Sequence, residues 1–137
     1  MNDVVARTIW GEARGEGDAG MHAVASVIWL RALREAEQYG VELKDALEIV
    51  CLEKAQFSCW GADEKFLQEV PYPCWQWELC GKIAAEMAEG KFEATIVADH
   101  YCAMRCYPDW ADHMRFVGVV GEQRFYLEDD RIPGAKE

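Results

Sequence analysis

The chain has 137 residues, of which 51% are hydrophobic and 28% charged, and its formal net charge is −11. That length supports one domain with a real core and is short for two, while the apolar content excludes a disordered chain. The acidic balance, with no basic patch to release counterions from a phosphate backbone, argues against a nucleic-acid binder. An anionic polymer stays open as a substrate if the groove is locally neutral and built from aromatic and amide groups.

The opening MNDVVARTIW has no basic segment followed by an apolar core and a small-residue cleavage site, so no secretory leader is expected. The longest apolar run, Met21 to Leu30, is too short to span a bilayer and is interrupted by His22 and Ser26. A soluble product made in a cytoplasm, without stable membrane association, is therefore expected. Six cysteines, at 51, 59, 74, 80, 102 and 106, would suggest disulfides in an exported chain. A reducing compartment favours free buried thiols instead.

Asn2 and Asp3, followed by the apolar spacing of Val4 to Trp10, predict a first helix with a side-chain cap. It leads into the corner WGEARGEGD, where Glu12 and Glu16 stand four residues apart. A helix running on through the corner would turn both carboxylates toward its apolar side, but Gly15 and Gly17 predict a stop near Arg14 to Gly17. A carboxyl group in a last helical turn faces the negative end of the dipole, and burial beside an aromatic such as Trp10 acts in the same direction. Both effects favour the protonated acid that general-acid cleavage of a glycosidic bond requires. Glutamates near a helix end are more often plain solvated surface; what distinguishes this pair is that the corner runs straight into the most hydrophobic stretch of the chain.

From Gly20 to Gly40 the sequence predicts a long helix, apolar nearly all round in its first half and hence central to the fold. His22 and Ser26, one helical turn apart, read as a pair satisfying each other or a backbone carbonyl rather than as a catalytic histidine. Val41 to Glu53 predicts a short third helix. The loop from Ala55 to Gly61, with Gln56, Phe57, Ser58 and Trp60, reads equally as a sugar-binding wall or as a lid over the core.

Asp63 to Val70 predicts one or two helical turns. Pro71 and Pro73 break the chain, with Pro73 at or near the start of a further helix that carries Trp75, Leu79, Ile83 and Met87 as a core stripe and stops at Gly90. Ala94 to Trp110 holds the densest set of reactive side chains: Asp99, His100, Tyr101, Cys102 and Cys106. His100, Cys102, Cys106 and His113 match no common zinc spacing, so no metal is expected, and a Cys–His nucleophilic pair is a separate minor alternative. Phe116 to Tyr126 predicts a hairpin turning near Gly121. The element order gives a mainly α (α+β) domain over 1–127 with a small β-hairpin near its end, followed by a polar tail over 128–137.

Three separated blocks resemble one family, the cell-wall hydrolases comprising spore-cortex-lytic enzymes and related bacteriophage endolysins. They are ARTIWGEARGEGDAGMHAVASVIWLR; then Gln56 to Trp60; then Ala98 to Tyr101, Pro108 to Ala111, Val120-Gly121 and Phe125-Tyr126. The resemblance implies a lysozyme-like fold, acting as a monomer without cofactor, that cleaves the linkage between N-acetylmuramic acid and N-acetylglucosamine in peptidoglycan glycan strands. It implies Glu12 as the catalytic acid, and Glu16, Gln56, Phe57, Ser58, Trp60, Asp99, His100 and Tyr101 are the residues expected to bind substrate. Spore-lytic relatives act as lytic transglycosylases, needing no second carboxylate. A hydrolytic muramidase would need one, from Glu16, Asp18 or Asp99. A non-catalytic wall-binding or virion module is the alternative of another class. An endolysin would wait in the host cytoplasm and reach the wall after membrane permeabilisation. Leu30 and Cys102 depart from the family pattern.

Overall fold

The computed structural model describes residues 3–53 and 74–129. The predicted loop over 55–61, the helical turns over 63–70, Pro71, Pro73 and the tail from 130 onward lie outside the described residues.

Helix α1 (Asp3–Ala13) ends where the glycines predicted. The chain reverses through Glu16 N–H to Ala13 O at 3.0 Å and through Gly17, whose φ of 79° is the left-handed conformation glycine adopts without a Cβ penalty. Helix α2 (Gly17–Tyr39) therefore begins at Gly17 instead of Gly20. Asp18 in its first turn faces the positive end of the helix dipole, which favours the earlier start. Gly40, with φ of 67° and its N–H on Ala36 O, closes it at the predicted place.

Helix α2 is the centre of the fold. Met21, Ala23, Val24, Ala25, Val27 and Ile28 are each at most 1% exposed, because α1, α3 (Leu43–Leu52) and α4 (Trp75–Ala88) all pack around it. Helix α3 contributes Ala46, Leu47, Val50 and Cys51, one face at helical spacing. From α4 come Cys80, Ile83, Ala84 and Met87, whereas Trp75 at the head of the predicted stripe is 54% exposed. Gly90, at φ of 74°, ends this element as expected, with Lys91 N–H reaching back to Glu86 O.

A three-stranded antiparallel sheet completes the described chain, formed by β1 (His100–Ala103), β2 (Arg115–Val120) and β3 (Gln123–Leu127) in the order β1-β3-β2. The hairpin β2–β3 turns at Gly121, as predicted. Strand β1 is an addition to that hairpin: it has four residues, no burial alternation and a partner far along the chain, with His100 opposite Tyr126 and Tyr101 opposite Phe125. Just past β3, the amides of Glu128 and Asp129 are bonded to Asp99.

Candidate active site

Glu12 sits on the last turn of α1, half-buried, and its Oε1 accepts the hydroxyl hydrogen of Tyr101. Trp10, two residues earlier on the same helix end, meets Trp77 of α4 edge-on at 5.9 Å and lies under the Arg14 guanidinium at 5.5 Å. An aromatic pair thus sits at the end of α1 that also carries Glu12. Tyr101 is aimed by its strand: it packs on its register partner Phe125 at 5.6 Å between ring centroids, and Phe125 is fully buried.

Neighbouring residues on a strand project to opposite faces. His100 accordingly turns away from Tyr101 and packs 5.1 Å from Trp110, which in turn meets Tyr126 edge-on at 5.3 Å. Cys102 lies on that same far face, where Arg124 donates to its sulfur at 3.8 Å. The structure brings Tyr101 to Glu12 and takes His100 elsewhere. Leu30, the other departure from the family pattern, is 6% exposed.

Asp99, beside His100, is 2% exposed. Its Oδ2 accepts from Arg34 at 2.9 Å and from the Asp129 amide at 3.2 Å, and its Oδ1 accepts from the Glu128 amide at 2.8 Å and faces His100 Nδ1 at 3.0 Å. Burial alone would raise its pKa; the hydrogen bonds from His100, Arg34 and the two amides outweigh that and hold the carboxyl well below the usual carboxylate range. Arg31 adds a bond from Nε to the Asp99 carbonyl at 2.7 Å. Asp99 therefore ties α2, β1 and the segment after β3 together. Sequence reasoning missed Arg31 and Arg34; the available signal was two arginines, three apart, where α2 turns from apolar to charged.

Glu16 lies at the α1–α2 corner, and its Oε1 accepts from the Glu122 amide in the hairpin turn at 2.9 Å. Gly20 and Gly121 make room for it: a Cβ on the former would stand 2.3 Å from Glu16 Cβ, and one on the latter 2.6 Å from Glu16 Oε1. Asp18 is paired with His22 at 2.8 Å. His22 Nδ1 also faces Asp18 O, and Ser26 donates to His22 O at 2.8 Å, so this pair makes the backbone contacts expected of it. Gln56, Phe57, Ser58 and Trp60 lie outside the described residues. Gln123, which the sequence reading did not single out, shares the Phe125 face of β3 and has a buried Oε1 with no hydrogen-bond partner among the described residues.

A family model described as Cell Wall Hydrolase matches residues 15–126. The chain belongs to the cell wall hydrolase family, which makes it an enzyme that acts on peptidoglycan. Glu12 stands just ahead of the matched span; Glu16, Asp99, His100 and Tyr101 fall within it. No curated protein and no solved structure matches the chain. Among the described residues, no helix is long and apolar enough to cross a membrane, and no three His, Cys, Asp or Glu side chains gather into a metal-holding group.

Proposed function

We propose that the protein cleaves the bond between N-acetylmuramic acid and N-acetylglucosamine by lytic transglycosylation, with Glu12 as the one acid–base group. The proton on Glu12 passes to the glycosidic oxygen as the bond to the muramoyl anomeric carbon breaks. The resulting carboxylate takes the proton from the muramoyl primary hydroxyl as that oxygen closes on the anomeric carbon, leaving a 1,6-anhydro end and a reprotonated Glu12. Water is not consumed, and neither cofactor nor metal takes part.

The observation that carries this reading is the commitment of Glu16, Asp18 and Asp99, the candidates for a second acid. A hydrolase of the two-carboxylate kind needs a second acid free to act as base or nucleophile. Glu16 is bonded to the Glu122 amide, Asp18 is paired with His22 and Asp99 is buried under four polar partners, while Glu12 meets a tyrosine hydroxyl at a helix end. Tyr101 orients the Glu12 carboxyl, and Gln56, Phe57, Ser58 and Trp60 are assigned to the sugar-binding wall. His100 contributes indirectly, through the sheet. The resemblance of the GEARGE corner to bacteriophage endolysins supports a monomer that waits in the host cytoplasm and meets the glycan strands at lysis.

Mass spectrometry of digested, purified peptidoglycan tests the reading. Muramoyl products one water lighter than the hydrolytic ones support it. Reducing muramoyl ends would replace it with a muramidase, and binding without any cleavage would replace it with a wall-binding module.

A further inference from the structure

We infer that Glu16 is a positioning residue: its carboxylate latches the β2–β3 turn onto the α1–α2 corner, and through the sheet it holds Tyr101 against Glu12. The inference rests on the assignment of Glu12 as the acid.

Glu122 is a node with two sides. Its amide donates to Glu16 Oε1 at 2.9 Å, and its carbonyl accepts from the Met104 amide at 2.9 Å, immediately after β1. The path runs from Glu16 to Glu122, across to Met104, back along β1 to Tyr101, and from its hydroxyl to Glu12, four residues before the starting point. Both acids of the corner are thus anchored in one sheet, Glu12 to its first strand and Glu16 to its hairpin turn. Closing such a ring fixes the sheet against the helix end at two points, where a single contact would leave it free to pivot.

Two further observations point to the same role. The corner is cut to fit the Glu16 side chain, since neither Gly20 nor Gly121 could carry a Cβ with Glu16 in place, and Gly121 has φ of 62° besides. Next to the latch, the buried Oε1 of Gln123 has no hydrogen-bond donor among the described residues. An unsatisfied buried acceptor favours any movement that lets water in. A restraint on this end of the hairpin is what keeps it closed.

A latch needs an acceptor oxygen; a second catalytic acid or a charge contact to substrate needs a carboxylate. Glu16→Gln keeps the acceptor and Glu16→Ala removes it. Amide hydrogen exchange of the full chain and turnover of purified peptidoglycan across pH are measured for both variants. In Glu16→Ala, exchange at Glu122 and along the β1–β3 ladder accelerates, and kcat falls on the order of tenfold or more. Glu16→Gln retains the protection, with kcat within about threefold of the unmodified chain and the same pH profile. Equal loss of turnover in the two variants, or a shifted pH profile in Glu16→Gln, overturns the latch, as does unchanged exchange in Glu16→Ala. If the unmodified chain cleaves no peptidoglycan, the reading of Glu12 fails, and the exchange data still decide whether the latch exists.

Discussion

Tyr101 on β1 and Glu12 at the end of α1, 89 positions apart in sequence, share a hydrogen bond, so the orientation of the acid depends on the sheet. The helix alone cannot supply this. Tyr101→Phe keeps the ring on Phe125 and removes only the hydroxyl. A hydrogen bond to the protonated, neutral acid contributes about 0.5–1.5 kcal/mol, so kcat should fall roughly two- to tenfold. Thermal unfolding should move little, because the buried ring stays. Steady-state turnover alongside a melting curve checks both halves, and full turnover in this variant would remove Tyr101 from the site.

Glu12→Gln preserves size and keeps an acceptor for Tyr101, yet cannot give up a proton. General acid–base groups contribute roughly 10²- to 10⁴-fold, and cleavage should drop by that much while binding to cell walls persists. Zymography together with a wall-sedimentation assay separates the two quantities. A variant that clears walls at the normal rate would move the acid elsewhere.

Asp99 makes stability depend on acid. Its carboxyl titrates below its unfolded-state value, since the bonds from His100, Arg34 and the two amides outweigh the opposing effect of burial. A depressed native pKa means that the unfolded chain takes up the proton first. The contribution is complete above about pH 4 and shrinks as pH falls toward the native value. Asp99→Ala, which removes the acceptor of one Arg34 nitrogen and of the Glu128 and Asp129 amides, should cost about 1–3 kcal/mol or more at neutral pH. Asp99→Asn should cost less and show a flatter decline on acidification than the unmodified chain. Urea unfolding at several pH values between neutrality and pH 3 reads the difference, and parallel acid limbs would show that Asp99 is not the group responsible.

Helical periodicity carried most of the fold. The all-round apolar stretch from Met21 to Ile28 became the buried centre of α2, and Gly40, Gly90 and Gly121 fell at the chain reversals they predicted. What local pattern could not carry was long-range pairing. Strand β1 owes its existence to β3, and four residues containing a histidine, a tyrosine and a cysteine have no period to betray them. The same limit applies to the site. Glu12 stood out because a motif surrounds it, and its role is a proposal; the partition of His100 and Tyr101 between two faces follows from a strand that the sequence did not announce. The commitment of Asp99 to Arg34, likewise, joins residues that only the tertiary fold brings together.

Gly20 and Gly81 are both helical glycines with opposite expectations. A methyl group at Gly20 would stand 2.3 Å from Glu16 Cβ, where neither neighbour can swing away because both atoms are fixed to backbone. Overpacking of that kind costs about 1–3 kcal/mol or more, so Gly20→Ala should destabilise the chain and loosen the corner. At Gly81, inside α4, nothing lies within 4 Å of an added Cβ. Gly81→Ala should stabilise by about 0.5–1 kcal/mol through helix propensity alone. Chemical denaturation of the two variants checks the contrast, and equal effects would show that the fit of Glu16 over Gly20 is slack.

The thiols give the last expectation. Burial pushes the thiols of Cys51 and Cys80 up to about 12, and both side chains are 0% exposed. The thiolate is the reactive form, so at pH 8 about one part in ten thousand of either group is competent even before access is considered. Cys106 is exposed, and Cys102, whose sulfur lies 3.9 Å from the Cys106 carbonyl, belongs to the sheet face that Tyr101 does not share. Iodoacetamide applied to the folded chain at pH 8 should modify Cys106, spare Cys51 and Cys80 until denaturant is added, and leave wall cleavage within about twofold of its starting rate. Peptide mapping gives the sites of labelling and a turbidity assay gives the rate. Inactivation in step with Cys106 modification would favour a thiol nucleophile attacking the stem peptide, and with it the release of amines in place of sugar ends.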